Sequence, residues 1–155
     1  MARFVYKLQN VLNLKERLEE QQKIAFAEAE SKRDEEMFKL QSYRKKREDI
    51  MESLKEASMG NLSVTELRHL NNDVKTTDML IANQEKAAWK AEEEVERQRT
   101  LLADAVKERK IHEKLREKAF ENFLKEEEAK EKTSIDELVS ARYARGEGGM
   151  TDGEE

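Results

Sequence analysis

The sequence predicts an all-α fold, a long two-helix antiparallel coiled-coil hairpin with a C-terminal helical overhang. Three observations carry this expectation. First, Leu67, Leu70, Val74, Thr77, Ile81, Gln84, Ala88, Ala91, Val95, Gln98, Leu102 and Ala105 keep an unbroken three-four spacing, and nine of the twelve are apolar, the pattern of a coiled-coil seam. Second, a short stretch around Gly60 ends in Ser63-Val64-Thr65-Glu66 and separates this seam from an earlier periodic segment. Third, proline is absent and 42% of the residues are charged, which favours long solvated helices over a compact globule. A solitary helix would leave so narrow an apolar stripe in water, so a second helix must cover it.

The first helix is expected from about residue 4 to 58. Phe4, Leu8, Val11, Leu18, Ala25 and Ala29 keep the three-four spacing, with Lys15 and Gln22 filling two places. The apolar residues then fall out of register around Lys32 to Glu36 and resume as Leu40, Tyr43, Arg47, Ile50, Leu54 and Ala57, so a stutter is expected there. Gly60 stands where this pattern stops, as a helix end needing a left-handed residue would place it, and Asn61 can share the turn. Ser63 to Glu66 reads as a capping box, with Leu62 and Leu67 placed to staple across it.

A turn over about 59 to 63 is short enough to favour antiparallel folding back. The second helix is expected from about 64 to 143, losing strict register after Ala105, where Ile111, Leu115, Ala119 and Phe123 or Leu124 take over the apolar face. At about 1.5 Å per residue the helices would span roughly 80 and 120 Å. Folding near Asn61 sets Phe4 near Lys118 and leaves everything beyond Ala119 as the overhang. Residues 1–145 thus form the hairpin, and 146–155, with four of the five glycines and four acids, read as a disordered tail.

Composition excludes several function classes. The formal net charge is −5, from 30 basic and 35 acidic residues with the signs interleaved, which is a solvated surface and not a nucleic-acid footprint. The absence of cysteine removes disulfides and thiolate metal ligands. Apolar runs fall far short of the roughly 20 residues that span a bilayer, and the N-terminus lacks a signal-peptide core, so a cytoplasmic protein without membrane insertion is expected. His69 and His112 are far apart, and Arg116 occupies the place where a helical zinc motif beginning at His112 needs its second histidine. With no phosphate loop and no serine elbow, no enzyme and no cofactor is expected.

Two clusters and one aromatic stand out. Arg44-Lys45-Lys46-Arg47 wraps all round a helix and reads as solvation. A basic zone forms at the open end of the hairpin, where Arg3, Lys7, Lys15 and Arg17 approach Lys107, Arg109, Lys110, Lys114, Arg116 and Lys118, partly neutralised by Glu108, Glu113 and Glu117. A partner-binding role and a salt-bridged shaft are equally compatible with it. Trp89 follows seam residue Ala88 and reads as a shield over the seam, with a docking anchor as the alternative.

Phe4-x-Tyr6-x-Leu8-Gln9-x-Val11-Leu12-x-x-Lys15, Glu19-Glu20, the capped turn at Gly60 to Glu66, Ile81-x-x-Gln84, Glu113-Lys114-Leu115 and Lys132-x-x-x-Asp136-Glu137-Leu138 followed by Arg142 stand in an order that resembles the FliJ family. That family is the small coiled-coil component of the bacterial flagellar type III export ATPase complex, and the likeness covers nearly the whole chain. The resemblance implies a stalk inserted into the flagellar export ATPase hexamer, contacting the membrane-embedded export gate and the export chaperones at the cytoplasmic face of the inner membrane. It places ATPase binding at Leu8, Val11, Lys15, Arg109, Lys110, Lys114 and Leu115, and export-gate binding at Leu70, Val74, Leu80 and Ile81. Near the tip the chain has Asp73-Val74 and Thr77 where relatives often carry an aromatic residue. An equivalent stalk of an injectisome or other rotary-type ATPase, and a generic coiled-coil scaffold, are the alternatives. An intramolecular seam implies a monomer when isolated, whereas a spacer would be a concentration-dependent dimer.

Overall fold

The computed structural model describes residues 2–60 and 63–147. It is all-α: α1 spans Gln9–Ser58 and α2 spans Val64–Glu147, and the two pack against each other as an antiparallel hairpin. The chain divides into two compact units, Glu16–Lys107 and Met1–Lys15 with Glu108–Glu155. Asn61 and Leu62, and residues 148–155 of the expected tail, lie outside the described residues.

In the Glu16–Lys107 unit, all twelve seam positions expected on α2 are buried or half-buried, with Val95 at 0% exposure. Ala88 and Ala91 are also buried, and α1 buries Ala29 and Leu40. Small side chains at these places let two backbones approach closely, which favours dispersion contacts over large buried area.

The register of α1 differs from expectation. Glu19, Gln22, Phe26, Ala29, Arg33, Glu36, Leu40, Tyr43, Arg47, Ile50, Leu54 and Ala57 are all buried or half-buried, an unbroken three-four series with no stutter, flanked by half-buried Ala25 and Glu30. Leu18 is exposed and Ala25 only half-covered, while Glu19 is buried. The apparent break arose because Glu19, Arg33 and Glu36 occupy seam places, and following apolar residues alone shifts the frame.

Arg33 and Glu36 find partners across the interface, in Glu92 and Gln84, while Glu19 pairs with Lys23 on its own helix. The Gln84 amide donates to the Glu36 backbone carbonyl at 2.9 Å and to the Glu36 carboxylate. That bond comes first among the influences holding the Glu36 carboxyl below its ordinary value. Gln22 donates to the Gln98 side chain, and Gln98 in turn donates to Glu94 at 2.8 Å. Arg44 pairs with Glu85 at 3.2 Å and Arg47 with Asp78 at 2.6 Å, so two members of the basic run are cross-helix partners and not bare solvation.

The turn is built differently from the expected left-handed glycine stop. Gly60 has no positive φ; the amides of Met59 and Gly60 instead donate to the carbonyls of Glu56 and Ala57 at 3.2 and 3.3 Å, tightening the last turn in 3₁₀ fashion. A Cβ on Gly60 would meet only the Glu56 carbonyl, at 4.0 Å. As expected, Ser63 caps α2, its hydroxyl accepting from the Glu66 amide at 3.3 Å.

Two substitutions test this account by chemical denaturation. Val95→Ala should cost about 2 kcal/mol through lost methyl groups and the remaining cavity. Gly60→Ala should be neutral or stabilising by up to about 1 kcal/mol, because the backbone already suits an L side chain; a clear loss would restore the left-handed reading.

Candidate partner-binding surfaces

In the unit formed by Met1–Lys15 and Glu108–Glu155, α1 starts at Gln9 and not near Phe4. No acidic residue lies in its first turn, and Leu8, which precedes it, offers no capping oxygen. The Leu8 carbonyl accepts the amides of both Val11 and Leu12, at 3.0 and 3.1 Å. The preceding segment is held by aromatic contact instead: the Phe4 ring lies 5.2 Å from Phe120, edge-on, and 5.4 Å from Phe123. The antiparallel alignment therefore falls within a few residues of the expected one.

On α2 the covered positions differ only in part from those expected, with Arg116, at a three-four place, exposed. Arg109, His112, Ala119 and Phe123 are half-buried, whereas Ile111 and Leu115 are 57% and 44% exposed. Polar side chains take the seam and two large apolar ones are turned outward. One consequence is imperfect satisfaction, since Tyr6 Oη and His112 Nδ1 are buried without a hydrogen-bond partner.

The seven residues expected to meet an ATPase all fall in this unit but divide into two groups. Lys15 pairs with Glu108 at 2.6 Å, and Arg109 with Glu113 at 2.6 Å; both cations are largely covered, and Val11 is half-buried. The Lys15 pair joins the two helices, whereas the Arg109 pair lies within α2. Lys110, Lys114 and Leu115 are exposed, and with Ile111 they form one outward face of α2, because residues three and four apart are neighbours on a helix. Ile111 was missed because its apolar character was spent on an imagined core. Leu8 is exposed beside the start of α1.

In the Glu16–Lys107 unit, Leu70, Val74 and Ile81 of the expected gate-binding set are half-buried seam residues, and Leu80 alone of the four is exposed, at 37%. Trp89 does not shield the seam. It is 64% exposed and borders a shallow groove with Glu92, Glu93, Glu96 and Arg97. Among the described residues no group of His, Asp or Glu side chains is placed to hold a metal ion. No described helix is long and apolar enough to cross a membrane.

Comparison with known proteins covers the whole of this arrangement. The family profile described as Flagellar FliJ protein matches residues 4–148. The Flagellar FliJ protein of Bacillus subtilis (strain 168) is 25% identical over 140 residues, which is 90% of this chain and 95% of that protein. The solved structure of a chain described as a YscO homologue from Chlamydia trachomatis is similar with a TM-score of 0.63 and 20% identity, covering 97% of this chain and 100% of that one.

The Lys15 ammonium, first by its hydrogen bond and then by its charge, holds the Glu108 carboxyl below its ordinary value of 4.5. A carboxyl lowered in the folded state stabilises it fully above the unfolded value, and that contribution is lost as pH falls through the folded one. Lys15→Met should move the Glu108 titration, followed by side-chain NMR, up toward 4.5 and flatten the acid limb of stability; an unmoved titration would mean the pair does not form.

Proposed function

Because the chain belongs to the Flagellar FliJ protein family, we propose that it is a non-enzymatic stalk and regulator of the flagellar type III protein export ATPase. In this reading it inserts into the ATPase ring and links the ring to the export gate and export chaperones, working at the cytoplasmic face of the inner membrane at the flagellar base. The observation that carries the proposal is the extent of the family match, residues 4–148, which takes in both helices and the turn between them.

The chain's own chemistry suits a mechanical partner. Nucleotide hydrolysis belongs to the ring, and the stalk acts by binding one ring conformation more tightly than another. A tenfold preference moves the equilibrium by about 1.4 kcal/mol, and a stalk without such a preference would bind and change nothing.

We assign the ring contact to the exposed face with Lys110, Ile111, Lys114 and Leu115. Its ammonium groups steer an encounter with an acidic surface, and its two branched apolar side chains lose water on contact. Lys15, Arg109 and Val11 act one step removed, by fixing the helix that carries this face, while Leu8 adds apolar area near the start of α1. Toward the gate, Leu80 is the residue offered for contact, with Leu70, Val74 and Ile81 setting its position from the seam. A spacer that finds its seam partner in another chain fits less well, because α1 already covers every α2 seam position of the Glu16–Lys107 unit.

The test is ATP hydrolysis by the flagellar export ATPase of the same organism across a concentration series of this protein, with co-sedimentation in parallel. The wild-type chain should co-sediment and stimulate hydrolysis below one copy per ATPase subunit. The double variant Lys110→Glu/Lys114→Glu should weaken both at least about tenfold, reversal of exposed interfacial charge acting mainly on the association rate, with helicity unchanged by circular dichroism. Undiminished stimulation by that variant would move the contact elsewhere. Neither binding nor stimulation by the wild type would remove the ATPase from the proposal.

A further inference from the structure

Beyond the Phe4, Phe120 and Phe123 cluster, α2 continues to Glu147, and every described side chain from Glu128 to Gly146 is exposed. Along this overhang Glu128, Glu131, Ile135, Leu138, Arg142 and Arg145 repeat the three-four spacing of a seam. Ile135 is 58% and Leu138 64% exposed, so the centre of the stripe is apolar and unpartnered. Its N-terminal flank is acidic and its C-terminal flank basic. Among the described residues none of these four charged side chains takes part in an ion pair, the one bridge on this stretch being Lys130 with Glu127.

A stripe with that order of charge is complementary to itself read backwards. We propose that the overhang pairs with the overhang of a second copy of this chain, antiparallel about a two-fold axis lying between residues 136 and 137. In that register Ile135 faces Leu138, Glu131 faces Arg142 and Glu128 faces Arg145, each pair occurring twice by symmetry, as an isologous interface requires. Parallel pairing would set Glu131 against Glu131 and Arg142 against Arg142, and like charges facing each other select against it. The lengths agree as well. The axis lies midway between residues 126 and 147, so the uncovered helix just covers itself and stops short of the aromatic cluster on the other copy.

With only two apolar layers and four exposed ion pairs, each worth little, the association is weak, half-complete in the range of roughly 10 µM to 1 mM. It replaces the strictly monomeric expectation with a concentration-dependent equilibrium, and it is independent of any ATPase partner.

Sedimentation equilibrium of the full-length chain up to about 1 mM is the test. The wild type should pass from monomer to dimer, Leu138→Glu should remain monomeric, and Glu131→Arg should weaken pairing at least tenfold, by setting two cations face to face. Adding Arg142→Glu to Glu131→Arg should restore it, a recovery that loss of folding would not produce. Because the chain has no cysteine, orientation can be read directly: a mixture of Glu128→Cys and Arg145→Cys chains should form disulfides between unlike chains in preference to like ones. A monomer at all concentrations overturns the proposal and leaves the stripe to a different protein. So do a dimer indifferent to Leu138→Glu, or disulfides between like chains.

Discussion

Gln84 reaching the Glu36 carboxylate and carbonyl, and Gln22 reaching Gln98, fix how the two helices of the Glu16–Lys107 unit are set against each other. An apolar seam of alanine, valine and leucine is permissive, since sliding one helix by a heptad exchanges one small apolar contact for another. The half-buried amides and carboxylates are less so. Each displaced glutamine would give up its cross-helix partner, so the polar layers favour one register among several that the apolar layers would tolerate. Arg44 with Glu85 and Arg47 with Asp78 repeat the same choice nearer the turn.

This arrangement explains which parts of the fold were legible in the sequence. The α2 seam from Leu67 to Ala105 was read position by position, because nine of its twelve places are apolar and the spacing announces itself. Ser63 was read as a cap because its chemistry is local, three residues from the amide it accepts. The frame of α1 was not legible before Leu40. Arg33 and Glu36 look like surface residues until their partners on α2, Glu92 and Gln84, are known, and those partners lie far off in sequence; Glu19, paired with Lys23 on its own helix, gives no such sign at all. Gly60 misled for a different reason: a left-handed stop is a common use of glycine at a helix end, but here two short backbone bonds finish the helix without one.

The candidate surface was legible in composition but not in direction. Lysines at 110 and 114 with a neighbouring leucine could be named from the sequence, but which of the surrounding residues turned outward depended on the frame of α2 beyond Ala105. Once Arg109 and His112 take seam positions, Ile111 and Leu115 must point away, so the exposed apolar pair and the imperfectly satisfied seam have a common origin. Stability given up inside this unit leaves apolar area exposed on its outside.

The polar seam also bears on how the chain is made. Gln22 must find Gln98, 76 residues later, whereas Arg47 meets Asp78 after only 31. At about 5–20 residues per second the ribosome delivers that distant glutamine roughly 4–15 s after the first, while the turn-proximal pair is complete in a fraction of that time. The early half of α1 therefore waits longest in water with its inner face bare. In that half Glu19, Gln22 and Arg33 interrupt the apolar stripe. The same side chains that later choose the register keep the unfinished chain from offering a continuous sticky edge, so a newborn helix can remain soluble until its other half arrives.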